Sequence, residues 1–147
     1  HMEQFRHGEW TIGLPEGWDD ASTVTLVGPP EDDFSPNIVV TSEALSEEMS
    51  PAEYAAIQKE ELEGTLEPFE YSVVEEGPMD MPQGAAHRLV HDFMSPAGDF
   101  KVGQMQVYVL REGRAWTITA TDLAERLQQS LPVFVEAVRQ FRFVPAH

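Results

Sequence analysis

The sequence predicts an α+β fold: an antiparallel β-sheet with helices packed on one face, over a single domain of residues 3–147. Three observations predict it. Lys101 to Thr121 (KVGQMQVYVLREGRAWTITAT) reads as two strands joined by a tight Arg111-Glu112-Gly113-Arg114 turn. Ser50-Pro51-Ala52-Glu53 opens a helix, with Ser50 at the N-cap, proline at the first helical position and Glu53 closing a capping box. Leu127, Leu131, Phe134, Val138 and Phe141 recur at helical spacing and form an apolar stripe.

The elements follow in order. Glu9 to Leu14 (EWTIGL) and Ser22 to Val27 (STVTLV) are strands separated by a Pro15-Glu16-Gly17-Trp18 turn. Asn37 to Ser42 (NIVVTS) is a third strand. The helix from Pro51 runs to about Leu66, with Tyr54, Gln58, Leu62 and Leu66 as a drifting seam and Ile57 beside it. Phe69 to Glu75 is a fourth strand, which Gly77-Pro78 and Met81-Pro82 are expected to break. Ala85 to Met94 (AAHRLVHDFM) is a fifth and leads by a Ser95–Asp99 loop into the 101–121 hairpin. Pro132 is expected to break the last helix near Ser130, and Phe141-Arg142-Phe143 to end the chain as a short edge strand. The predicted order is βββ-α-ββββ-α.

Side chains alternate across a strand, so a hairpin with one wet face separates an apolar set from a polar one. The 101–121 stretch does not. Met105, Val107 and Val109 share one side; Gln104, Gln106, Tyr108 and Leu110 share the other. Both sides ask for a cover. Either all these residues alternate into one core, or the glutamine side is an exposed binding surface.

Nine Lys plus Arg against 26 Asp plus Glu give a net charge of −17. Nucleic-acid phosphates and anionic membrane surfaces would be repelled. The charge serves solubility, or keeps a protein with a sticky apolar surface monodisperse. The absence of cysteine excludes disulfides and thiolate metal sites. No run reaches the roughly 18 apolar residues of a membrane span. Direct membrane insertion is not expected, and the chain reads as cytosolic. His1-Met2 reads as a scar of expression.

Catalytic chemistry finds no foothold, and no enzyme and no cofactor are expected. His87 and His91 lie four apart in a strand pattern, roughly 13 Å, too far to share a metal. Glu31-Asp32-Asp33 lacks the spacing of a calcium loop, and Glu60, Glu61 and Glu63 read as the solvated side of a helix. There is no Gly-x-Ser-x-Gly and no phosphate-cradling glycine loop.

The runs FRHGEWTIGLPEGWDDASTVTLVGP, FSPNIVVTSE, SPAEYAAIQ, QMQVYVLREGRAWTITAT and the final FRF resemble the DcrB-related family, from Phe5 to Phe143. The resemblance implies a PsbP-like fold. Acidic, signal-less members of this size resemble the Eag-type chaperones of type VI secretion. Those bind hydrophobic N-terminal segments of effectors that carry a PAAR domain and help load them onto the VgrG spike. They act as homodimers with a concave apolar face. Carried over by position, client-binding residues would be Val24, Leu26, Val39, Gln58, Leu62, Leu66, Gln104 and Gln106. Val39 against Val40, and Gln104 against Gln106, stay open. The alternatives are an accessory or structural domain of the same fold without such a client, and a small-molecule binder or enzyme.

Overall fold

The computed structural model describes residues 3–144, without the side chains of residues 5–7. The expectation for His1-Met2 lies outside the described residues, as does the domain's end at 147. The elements run β1 (Glu3–His7), β2 (Trp10–Leu14), β3 (Val24–Val27), β4 (Asn37–Ala44), α1 (Pro51–Leu66), β5 (Ser72–Met81), β6 (Gly84–Met94), β7 (Lys101–Arg111), β8 (Arg114–Leu123) and α2 (Leu127–Arg139). Strands β3 to β8 form one antiparallel sheet in the order β3-β4-β8-β7-β6-β5, and β1 and β2 form a separate hairpin. This is the α+β class that the sequence predicts.

The central hairpin is built as expected. Glu112 and Gly113 both take positive φ, which a two-residue turn matched to strand twist requires. Strand β7 lies deep in the sheet, flanked by β8 and β6. Met105, Val107, Tyr108 and Val109 are all buried. The register places Met105 and Val107 against Val90, Ala120 and Ile118, and Gln104, Gln106 and Tyr108 against His91, Leu89, His87, Thr121, Thr119 and Thr117.

The expectation of helices on one face needs correction. The side of Met105, Val107 and Val109 forms one core with Leu127, Phe134 and Val138 of α2. The side of Tyr108 forms a second core with Tyr54 and Ala55 of α1, Leu89 and Ala115. The helices therefore take opposite faces of the sheet. The two-sided apolarity of β7 has this cause, and this chain supplies both covers.

Helix α1 starts where the sequence places it. Ser50 N–H donates to Glu53 Oε1 (3.0 Å) and Glu53 N–H to Ser50 Oγ (3.1 Å), the two halves of a capping box. Ser50→Ala is expected to cost about 1 kcal/mol, read as a lower urea midpoint with an unchanged slope. A midpoint equal to that of the parent chain would show that the box contributes nothing.

Four local expectations fail for identifiable reasons. Strand β1 is an addition: Glu3–His7 pairs with β2 although its sequence has no alternating apolar pattern. Strand β5 continues through Gly77-Pro78 to Met81. It is an edge strand, where a missing N–H need not interrupt a ladder. Helix α2 does not break at Ser130, and Pro132 sits inside it. The carbonyl that Pro132 leaves unbonded belongs to Gln128, which is exposed to water. Phe141 to Phe143 form no strand; their rings pack edge-on to each other (5.1 Å) and Phe143 on Trp116 (4.7 Å).

Candidate functional site

Helix α1 covers only part of its face. It lies over β6 and β7 and leaves the β3-β4-β8 half open. Between the helix and that open half runs a groove of about 500 Å³. Its helix wall carries Tyr54, Gln58, Leu62 and Leu66, and its floor carries Gln106, Thr117, Thr119 and Thr41. Helical spacing of four puts the wall residues in line. Sheet register puts Thr41 opposite Thr117 and Val39 opposite Thr119.

The wall is held at few points. The Tyr54 ring meets the Tyr108 ring edge-on at 5.7 Å, and its hydroxyl donates to Glu43 Oε2 at 2.6 Å. Lys59 reaches Glu76 on β5 at 2.6 Å. Burial, and next the Glu43 carboxylate, push the Tyr54 hydroxyl well above its ordinary value. Burial does the same to Tyr108. Neither phenol is an acid or base near neutrality. Among the described residues no group of three or more His, Cys, Asp or Glu is placed to hold a metal ion. The groove is built to pack and to hydrogen-bond.

The candidate residues divide between two faces. Gln58, Leu62, Leu66 and Gln106 meet in the groove. Val39 lies on the same face and Val40 on the opposite one, because Val39 pairs with Thr119 and Val40 with Ile118. Gln104 and Gln106 share that face, being two apart on one strand. Val24 and Leu26 do not join them. They pair with Val40 and Ile38, whose face is that of α2. There they stand 44% and 59% exposed on the edge strand, and Leu26 lines a second groove with Val133 and Phe134. Tyr108, already grouped with the glutamines by strand alternation, supports the floor from below, while Thr117 and Thr119 are floor residues that the sequence reading did not single out. The alternation Thr117, Thr119, Thr121 in β8 is the signal that points to them.

Beside the groove floor lies a buried polar chain. His91 Nε2 is 2.8 Å from Gln104 Oε1, and Gln104 Nε2 donates to Thr121 Oγ1 at 3.1 Å. His91 is fully buried and its ring is 5.0 Å from that of Tyr71. Burial holds His91 below its ordinary value of 6.5, against the opposing pulls of Gln104 and Asp92. Below that value the unfolded chain takes a proton that the folded chain resists. The contribution to stability is thus full above about pH 6.5 and falls as pH drops toward the folded value. His91→Gln is expected to flatten part of the stability loss between about pH 7 and about pH 5.5, measured by urea unfolding. Parallel curves for the two proteins would show that His91 does not set it.

The DcrB family model matches residues 9–139. The chain belongs to the DcrB family. Solved structures with the same fold as this DcrB-family chain include PA94 of Pseudomonas aeruginosa, a protein of unknown function. The two share 20% identity and a TM-score of 0.82, over 99% of each chain. The cyanobacterial PsbP, CyanoP, of Synechocystis sp. PCC 6803 shares 9% identity and a TM-score of 0.62, over 97% of this chain and 92% of its own. LpqN of Mycobacterium tuberculosis, involved in cell envelope biogenesis, shares 13% identity and a TM-score of 0.50, over 92% and 86%. The PsbP-like fold expected for this DcrB-family chain is thus found. No curated protein matches the sequence. No helix among the described residues is long and apolar enough to cross a membrane.

Proposed function

We propose that this DcrB-family protein is a cytosolic chaperone. It shields the hydrophobic N-terminal segment of a PAAR-containing type VI secretion effector and aids its loading onto the VgrG spike. The observation that carries the reading is the convergence of Gln58, Leu62, Leu66 and Gln106 in one open groove, with Val39 and Gln104 on the same face. Those residues came from separate stretches of sequence. An apolar helix in water leaves surface exposed at a cost of about 25 cal/mol per Å². The groove offers leucine, threonine methyls and the amides of Gln58 and Gln106, with the carboxylates of Glu43 and Glu61 also in its lining. Threonine and glutamine suit the small residues at which apolar helices pack closely. No phosphate-cradling loop is present in the sequence, so release proceeds by competition or hand-over.

The homodimer is part of the same proposal. Exposed apolar side chains recur in the first 27 residues, and Val24 and Leu26 share one face of the edge strand β3. A second copy laid on that edge would cover Val24 and Leu26. Light scattering is expected to give twice the chain mass; a monomer at high concentration removes this part.

A second reading, an accessory domain without a membrane-segment client, draws on the groove floor, which is threonine and glutamine rather than aliphatic. Co-expression separates the two. An effector's hydrophobic N-terminal region is expected to stay soluble and co-purify with this protein. A fragment that remains insoluble and alone overturns the chaperone reading.

A further inference from the structure

We infer that the groove floor meets its occupant with amide N–H donors, and that Tyr108 and His91 set this polarity by tying up the carbonyl oxygens of Gln106 and Gln104. The inference rests on the chaperone reading and specifies the partner's chemistry.

The Tyr108 hydroxyl donates to Gln106 Oε1. Tyr108 is fully buried under α1, and this is its hydroxyl's hydrogen bond. Were the phenol to accept from the amide instead, its own proton would be buried without an acceptor, at the full desolvation cost of that group. Gln106 is thus held by its oxygen, and its NH2 end is left for an occupant. Gln104 is held at Oε1 by His91 Nε2 (2.8 Å) and gives one N–H to Thr121. His91 Nδ1 is buried without a partner. A proton there would be a stranded donor, so the proton sits on Nε2 and points at the glutamine oxygen. Gln104 keeps one N–H free.

The Gln106 amide then offers its donors on the groove floor, and Gln104 offers its remaining N–H beside that floor, on the same face of the sheet. Most carbonyls of a helix already accept a bond from their own ladder. A proline removes one such bond and leaves the carbonyl four residues earlier unpaired. The occupant that matches this floor is an apolar helix carrying such an unpaired carbonyl. Tyr108 and His91 act through the glutamines and are positioning residues.

The test uses two synthetic apolar helices of about 20 residues in mild detergent. They are alike except for a central proline or a central alanine, and their dissociation constants are measured by fluorescence anisotropy. The proline peptide is expected to bind about five- to tenfold more tightly, the worth of one net hydrogen bond. Gln106→Met and Tyr108→Phe are expected to reduce that preference to roughly twofold or less. Tyr108→Phe keeps the ring against Tyr54. Equal affinities for the parent protein overturn the donor assignment and leave the groove reading standing. Failure of both peptides to bind overturns the groove reading itself. The free protein gives a readout without any occupant. Tyr108→Phe is expected to move the side-chain carboxamide carbon of Gln106 upfield in NMR spectra, as loss of a donor to its oxygen does. A change confined to the amide nitrogen overturns the inference.

Discussion

Phe134→Ala is expected to cost about 3–5 kcal/mol. Phe134 is 5% exposed and belongs to the larger core, with Met105, Val107 and Ile118 of the sheet and Leu127 and Val138 of its own helix. Alanine leaves a cavity that strands cannot close, because β7 is paired on both sides. At about 2–4 °C per kcal/mol for a chain of this size, melting falls by roughly 10 °C. Val133→Ala is the control. Val133 is 68% exposed and its loss is expected to stay within about 0.5 kcal/mol. A Phe134 variant that melts with the control would mean that α2 is not the cover of this face.

Leu66→Asp is expected to weaken capture of a hydrophobic effector segment by about 2–3 kcal/mol, roughly 50-fold. Leu66 closes the groove at the end of α1. A carboxylate there must either lose its water when an apolar helix lies down or hold that helix away. The fold has less at stake, since Leu66 is half-buried at a helix end. Stability is expected to drop by under about 1 kcal/mol, including the unfavourable charge at a helix C-terminus. Pull-down titration measures the first effect and circular dichroism melting the second. Undiminished capture with equal melting would remove Leu66 from the binding surface.

Much of the fold was legible because local signals agreed with tertiary need. The Ser50-Pro51-Ala52-Glu53 cap placed the start of α1, and Glu112-Gly113 marked the tight turn between β7 and β8. The candidate groove was legible in part. Alternation told that Val24 and Leu26 share a face, but not which face. That depends on the register with β4, where Val24 meets Val40, and register is set by partners far away in sequence. The second cover of β7 was hidden for a related reason. Only Tyr54 and Ala55 of α1 are buried, so its seam is too thin to announce a core helix. Strand β1 was missed because Glu3–His7 gains its structure from pairing with β2, not from a buried face.

That thin seam has a consequence for motion. A helix fastened to the sheet by two buried side chains, the Tyr54–Glu43 hydrogen bond and a surface ion pair can detach locally without melting the sheet beneath it. Helix α2, anchored by Leu127, Phe134 and Val138 in the larger core, has no such freedom. The groove therefore has one stiff side, the sheet, and one side that opens at low free energy. In the proposed chaperone, an occupant would leave by lifting α1, while β7 and β8 stay folded.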